Sequence, residues 1–145
     1  LIEAKGPTGF TLSEAAKQAG VTPAAVYRHF DGREDLLAEA ARQGYEIFAN
    51  VMQYAYDKGQ PSAMSAFEAT GRAYLAFARR YPGHYIAMFE SGISVNRNPE
   101  LAAISAKARR VLERAAEELS QHIPPEKPPH RRCFQLMSGP CPTAW

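Results

Sequence analysis

The side chains with the most evident chemistry fall within the first 33 residues, and that chemistry is recognition of an anion rather than bond making. Thr11, Ser13 and Thr22 stand where two short helical patterns begin. Hydroxyls there, together with backbone N–H groups that lack an intrahelical partner, favour a phosphate. Tyr27 and His29 can donate to phosphate oxygens, and Arg33 adds a cation. Between them, Ala24 and Ala25 are small enough to let a backbone approach a base edge and touch thymine methyls, with Arg28 beside them. Bond-making constellations are missing from the pattern: there is no nucleophile–base pair, no paired carboxylates and no metal-ligand spacing. The reading is therefore of a non-enzyme without catalytic residues, metal or cofactor. His130, Cys133 and Cys141 hint at zinc, but they lack a paired spacing and sit among prolines.

The elements that must position these groups are helices. Thr11-Leu12-Ser13-Glu14 has capping-box spacing, so a helix opens there and runs to about Ala19, where Gly20 tolerates a left-handed exit. Thr22-Pro23 starts a second helix of about Pro23 to Phe30, which Asp31-Gly32 ends. Two short helices joined by a three-residue turn containing glycine make a helix-turn-helix. Ala16 is small where the helices cross, and Val21, Val26 and Phe30 are expected to plug the core between them. That assignment leaves Ala24, Ala25, Tyr27, Arg28 and His29 outward on the second helix, the face a recognition helix presents to the major groove.

Downstream the pattern stays helical. A long helix from about Arg33 carries Leu37, Ala41, Gly44, Phe48, Val51, Met52 and Ala55 on one face until Gly59-Gln60-Pro61 breaks it. The next places Met64, Phe67, Gly71, Tyr74, Leu75 and Ala78 toward the core and stops at Tyr81-Pro82-Gly83. A short piece from His84 to about Ser91 follows, and Asn98-Pro99 caps a last long helix with the stripe Leu101, Ile104, Ala108, Val111, Leu112, Ala115 and Leu119. No strand pattern competes, so the fold class is all-α: a three-helix head carrying the helix-turn-helix over residues 1–44 and a helical body over 45–123. Phe48, Met52, Phe67, Tyr74, Phe77, Tyr85, Met88 and Phe89 are candidates to line an apolar effector pocket, although each could also serve as ordinary core. His84 is expected to cap or pack. The basic run Lys107, Arg109, Arg110 and Arg114 is interleaved with Glu113, Glu117 and Glu118, which makes a solvated face.

Bulk composition adds little to the case. The net charge is +2 over 145 residues. Residues 1–45 hold five Lys/Arg (Lys5, Lys17, Arg28, Arg33, Arg42) against six Asp/Glu (Glu3, Glu14, Asp31, Glu34, Asp35, Glu39). Nucleic-acid binding must therefore rest on placed residues. No apolar run approaches a membrane span, and two late cysteines fit a reducing cytoplasm. Leu1 to Lys5 reads as the last turns of a helix whose start lies upstream.

The run Thr11 to Phe30, followed by Arg33-Glu34-Asp35-Leu36-Leu37, resembles the signature of TetR-type regulators, most closely at Val26-Tyr27-Arg28-His29-Phe30. The resemblance implies a homodimer that blocks a palindromic operator in double-stranded DNA and is released when a small hydrophobic effector enters the larger domain. By position it implies phosphate contacts at Thr11, Thr22, Tyr27, His29 and Arg33, and base-reading positions at Pro23, Ala24, Ala25 and Arg28, the last variable in the family. Tyr74 to Gly92 resembles the sensor domain of one subgroup, which carries a Trp-x-x-x-His-Gly motif in its penultimate helix. An interaction module on a helix-turn-helix head, without an effector, is the other reading the residues allow, and a packed interior would favour it.

After Ile123 the character changes: residues 124–145 hold six of the eleven prolines and both cysteines. The resemblance implies two further helices here that build the dimer interface, whereas Pro124 to Cys133 cannot propagate one. Met137 to Trp145 can be encoded by a string that, read from its third base, gives Val-Trp-Ala-Leu-Ser-His-Gly-Val, which contains the subgroup motif. The expectation is a frame-shifted, irregular tail and an incomplete dimer surface.

Overall fold

Helix starts and stops follow the local chemistry closely. The computed structural model describes residues 1–123, and among them every regular element is helical. In order these are α1 (Ile2–Lys5), α2 (Leu12–Ala19), α3 (Pro23–His29), α4 (Arg33–Gly59), α5 (Ala63–Arg80), α6 (Pro82–Tyr85) and α7 (Pro99–Gln121). α6 widens directly into a π-type turn, Ile86–Glu90, and a 3-10 turn, Val95–Arg97, precedes α7. The short piece expected from His84 thus begins two residues earlier, because Pro82 needs no N–H in a first turn. Thr22, Ser62 and Asn98 cap α3, α5 and α7 through their side chains. The segment 124–145, with its expected irregular tail and the His130, Cys133 and Cys141 cluster, lies outside the described residues.

α4 is the central element. At 27 residues it spans about 40 Å, so its first turns belong to the head and the rest to the body. Leu37, Ala41, Phe48 and Met52 are buried along it, as their spacing predicts, against α5 on one side and α7 on the other. α7 buries Leu101, Ala108, Val111, Leu112 and Ala115 from its expected stripe, while Ile104 and Leu119 are half-buried. Arg114 lies 4.2 Å over the Tyr56 ring and ties the two long helices at their far ends.

α5 departs from the expected face. It buries Ala66, Thr70 and Phe77, whereas Met64 and Leu75 are 53% and 57% exposed. The cause is the tight α4–α5 corner. A Cβ at Gly59 would run into the Ala66 backbone, so the helices can meet only along small residues. Ala63, Ala66, Thr70 and Phe77 keep the period of three and four that the contact needs, and Met64 and Leu75 are rotated out to solvent.

Candidate nucleic-acid interface

The head is built on two capped helices. The Thr11 hydroxyl accepts from the Glu14 N–H at 3.2 Å, and the Glu14 carboxylate accepts from the Thr11 N–H at 3.0 Å, which completes the expected capping box. Phe10, at 2% exposure, and the half-buried Ala15 occupy the staple positions on either side of that box. Lys5 adds an ion pair to Glu14 at 2.7 Å. The Lys5 ammonium, then the Thr11 N–H, hold the Glu14 carboxyl below the usual carboxylate range. Gly20 makes the turn in the left-handed region (φ 71°). Its N–H donates to the Ala16 and Lys17 carbonyls, and α3 begins two residues after it.

α3 stands proud of the head, with no residue of it fully buried. Ala24, Tyr27 and Arg28 lie three and four residues apart and share one exposed face, with Tyr27 at 54% exposure. Pro23 and His29 are exposed at its two ends, while Ala25 and Val26 are half-buried. The packing beneath α3 differs from the expected plug. Val21 is 47% exposed and Phe30 half-buried; Phe10, Leu12 and Ala16 supply the buried side chains instead. α3 is only seven residues long, so it cannot cover the turn before it and also expose a recognition face. Phe10, immediately before the cap Thr11, was the available signal for this packing.

Thr11, Ser13 and Thr22 are all exposed at the helix starts. Thr22 accepts from the Ala25 N–H at 3.3 Å. In this cap, as in that of Thr11, the hydroxyl is used only as an acceptor, and its proton remains available to donate outward. Arg33 is exposed but also committed: its Nη1 donates to the Thr8 carbonyl at 3.0 Å, which fastens the α1–α2 loop to the start of α4. The structure thus gathers Thr11, Ser13, Thr22, Pro23, Ala24, Tyr27, Arg28, His29 and Arg33 as exposed groups on one small head.

The eight candidate pocket residues of the body also come together. Phe48, Met52, Phe77 and Met88 are buried, while Phe67, Tyr74, Tyr85 and Phe89 are half-buried. Phe48 is the hub, with ring centroids 5.4 Å from Tyr74, 5.1 Å from Phe77 and 6.1 Å from Phe89, all edge-on. Tyr85 meets Phe89 at 5.0 Å. The rings interlock, edge-on around Phe48 and tilted between Tyr85 and Phe89. Sequence reasoning missed Tyr45, which is buried beside Phe89 and donates to the Met88 carbonyl at 3.4 Å. Burial pushes its phenol pKa up. Gly44 lets this turn approach α4, since a Cβ there would lie 2.6 Å from the Met88 sulfur. A separate cleft of about 390 Å³ opens where head meets body, lined by Ile2, Phe10, Ala15, Leu36, Ala40 and His84 among others. Among the described residues no helix is long and apolar enough to cross a membrane, and no three His, Cys, Asp or Glu side chains are grouped to hold a metal.

Comparison with curated proteins gives no match. Family models do match, at both ends of the chain. Residues 1–40 match the model of bacterial regulatory proteins of the tetR family, the segment that contains both capped helices and the exposed face of α3. Residues 67–139, half of the chain, match a tetracyclin repressor-like C-terminal domain. That second match takes in α5 to α7 and continues into the segment after Ile123. With a helix-turn-helix head and a tetracyclin repressor-like C-terminal domain both matched in chain order, this chain belongs to the tetR family, the DNA-binding transcriptional regulators.

Proposed function

We propose that the protein is a homodimeric repressor that holds a palindromic operator and is released from it by a small hydrophobic effector, without enzymatic activity of its own. The observation that carries the DNA half of this reading is α3, with Ala24, Tyr27 and Arg28 exposed on one face and flanked by the capped hydroxyls of Thr11 and Thr22. In this reading Thr11, Ser13, Thr22, Tyr27, His29 and Arg33 hold phosphates and set the register. Pro23, Ala24, Ala25 and Arg28 then meet the base edges. Residues 1–44 act as the head and 45–123 as the effector-binding body. Selection of binding sites from random duplex DNA tests the proposal: it should return a palindrome whose affinity falls steeply with salt. A protein that enriches no sequence would refute it.

The aromatic cluster around Phe48 supports an effector site of apolar character, entered from the half-buried side at Phe67, Tyr74, Tyr85 and Phe89. Binding there would separate the rings and favour a head arrangement that mismatches the operator, so affinity falls by linkage. The interlocking of the same rings favours a second reading, in which the body is an interaction module with no effector. Thermal-shift screening with small apolar compounds separates the two, because only the first gives ligands that both stabilise the protein and release the DNA.

A further inference from the structure

The corner that ends the recognition helix has little to hold it. Phe30 closes α3, Asp31 and Gly32 follow, and α4 starts at Arg33 with no side-chain cap on its first turn. Gly32 has no Cβ, and a Cβ placed there would meet nothing within 4 Å. Besides the Arg33 bond to the Thr8 carbonyl and the Leu36 N–H, which donates to the Gly32 carbonyl at 3.3 Å, the restraint comes from Asp35, whose Oδ2 accepts from the Asp31 N–H at 3.0 Å. Its other oxygen, Oδ1, accepts from Arg97 Nη2 at 2.6 Å, while Arg97 Nη1 donates to Glu34 at 3.0 Å. One guanidinium from the body thus spans both carboxylates in the first turn of α4.

Arg97 is delivered from a fixed place. It ends the 3-10 turn Val95–Arg97, which Ser94 closes by accepting from the Asn96 and Arg97 N–H groups, with Ile93 and Val95 packed against the body core. The same stretch of chain leads back through Ser91, which accepts from the Ile93 N–H, to the π-type turn that carries Phe89 into the aromatic cluster. Charge points the same way. Residues 1–45 have five cations against six carboxylates, and Arg97 makes that six against six.

We infer that Arg97 is a positioning residue for DNA recognition: its guanidinium holds the first turn of α4 and, through Asp35, the Asp31–Gly32 corner, and so fixes the angle at which the body presents the recognition helix. The inference rests on the proposed DNA interface and adds a body residue to it. The Arg97 hydrogen bond, then the Asp31 N–H, keep the Asp35 carboxyl ionised below the usual carboxylate range. An exposed ion pair of this kind contributes little to global stability, so its loss should be felt in orientation rather than in folding.

The test uses the full chain, with wild type, Arg97→Ala, Arg97→Lys, Asp35→Asn and the Arg97→Ala/Asp35→Asn double variant. Binding is read by fluorescence anisotropy to the duplex that the wild type selects and to a random duplex of equal length. Arg97→Ala should keep the thermal midpoint, lose about fivefold in affinity for the selected duplex, and lose about twofold or less for the random one. Arg97→Lys keeps the charge but not the two-pronged geometry, so it should restore random binding and not selected binding. The double variant should be no worse than Asp35→Asn alone, and the Asp31 amide should exchange faster in Arg97→Ala. Equal losses on both duplexes, additive single variants, or unchanged Asp31 exchange would each overturn the clamp. A wild type that selects no sequence overturns the DNA reading itself, a failure visible before any variant is made.

Discussion

Replacing Phe48 with alanine should cost about 3–5 kcal/mol, and the structure says why the value is high. Phe48 is 2% exposed and touches three other rings edge-on, at 5.1, 5.4 and 6.1 Å. Burial of such a side chain contributes about 1.5–3 kcal/mol, and each well-placed ring pair adds about 0.5–1.5 kcal/mol. α4, α5 and the Ile86–Glu90 turn are anchored elsewhere along their lengths, so the gap cannot close fully. A domain of this size should lose roughly 10–20 °C in melting temperature. A urea titration followed by circular dichroism measures the loss directly, with the slope showing whether the folded state stays compact. The cavity left behind is apolar and dry, of the kind that takes up benzene-sized ligands. Benzene at ten times its Kd should then return about 1.4 kcal/mol to the variant and nothing to the wild type. A loss under about 1 kcal/mol, or equal stabilisation of both proteins by benzene, would refute the interlocked cluster, because it would mean that Phe48 already lines open space.

Three further outcomes follow from the head. Tyr27→Ala should weaken binding to every duplex by about tenfold without changing the salt slope, since a neutral phenol releases no counterion; normal operator binding in a gel-shift titration would show that α3 is wrongly placed on DNA. Thr11→Ala should cost about 1 kcal/mol of stability by removing half of the capping box, measured as a fall in the urea midpoint at constant slope. Glu14 and Asp35 both have depressed carboxyl pKa values, from Lys5 and from Arg97 respectively. A depressed folded-state pKa gives stabilisation that is present above the ordinary carboxylate range of about 4 and is lost as pH falls through the folded value. The Asp35 carboxyl, followed by NMR, should therefore titrate at lower pH in the wild type than in Arg97→Ala, and coincident titration curves would contradict the pairing.

Much of this molecule is written in short-range chemistry. The capping box at Thr11, the Gly20 turn, the Thr22-Pro23 start and the Asn98-Pro99 start each depend on groups within four residues of one another. They could be read directly and are found in place. The exposed face of α3 was legible for the same reason, because a seven-residue helix that begins with a capped threonine and carries Tyr-Arg-His at its end has few ways to sit on a neighbour. The inward stripes of α4 and α7 were equally plain, since long helices repeat their period often enough to average out single exceptions.

Other features were settled only by what packed against what. Met64 and Leu75 are apolar and keep helical period, yet they face solvent, because the backbone approach of Gly59 to Ala66 chose the small-residue face of α5. Val21 is exposed as well, while Phe10, from before the cap, is buried within the core cluster that includes Leu37 and Ala41. Arg33 spends one nitrogen on the Thr8 carbonyl, and Arg97 finds Glu34 and Asp35 across more than sixty residues of chain. Nothing local in the sequence marks either contact. Periodicity says which side chains share a face, but the partner that covers the face is fixed by volume and by backbone approach, and these exist only once the helices have met.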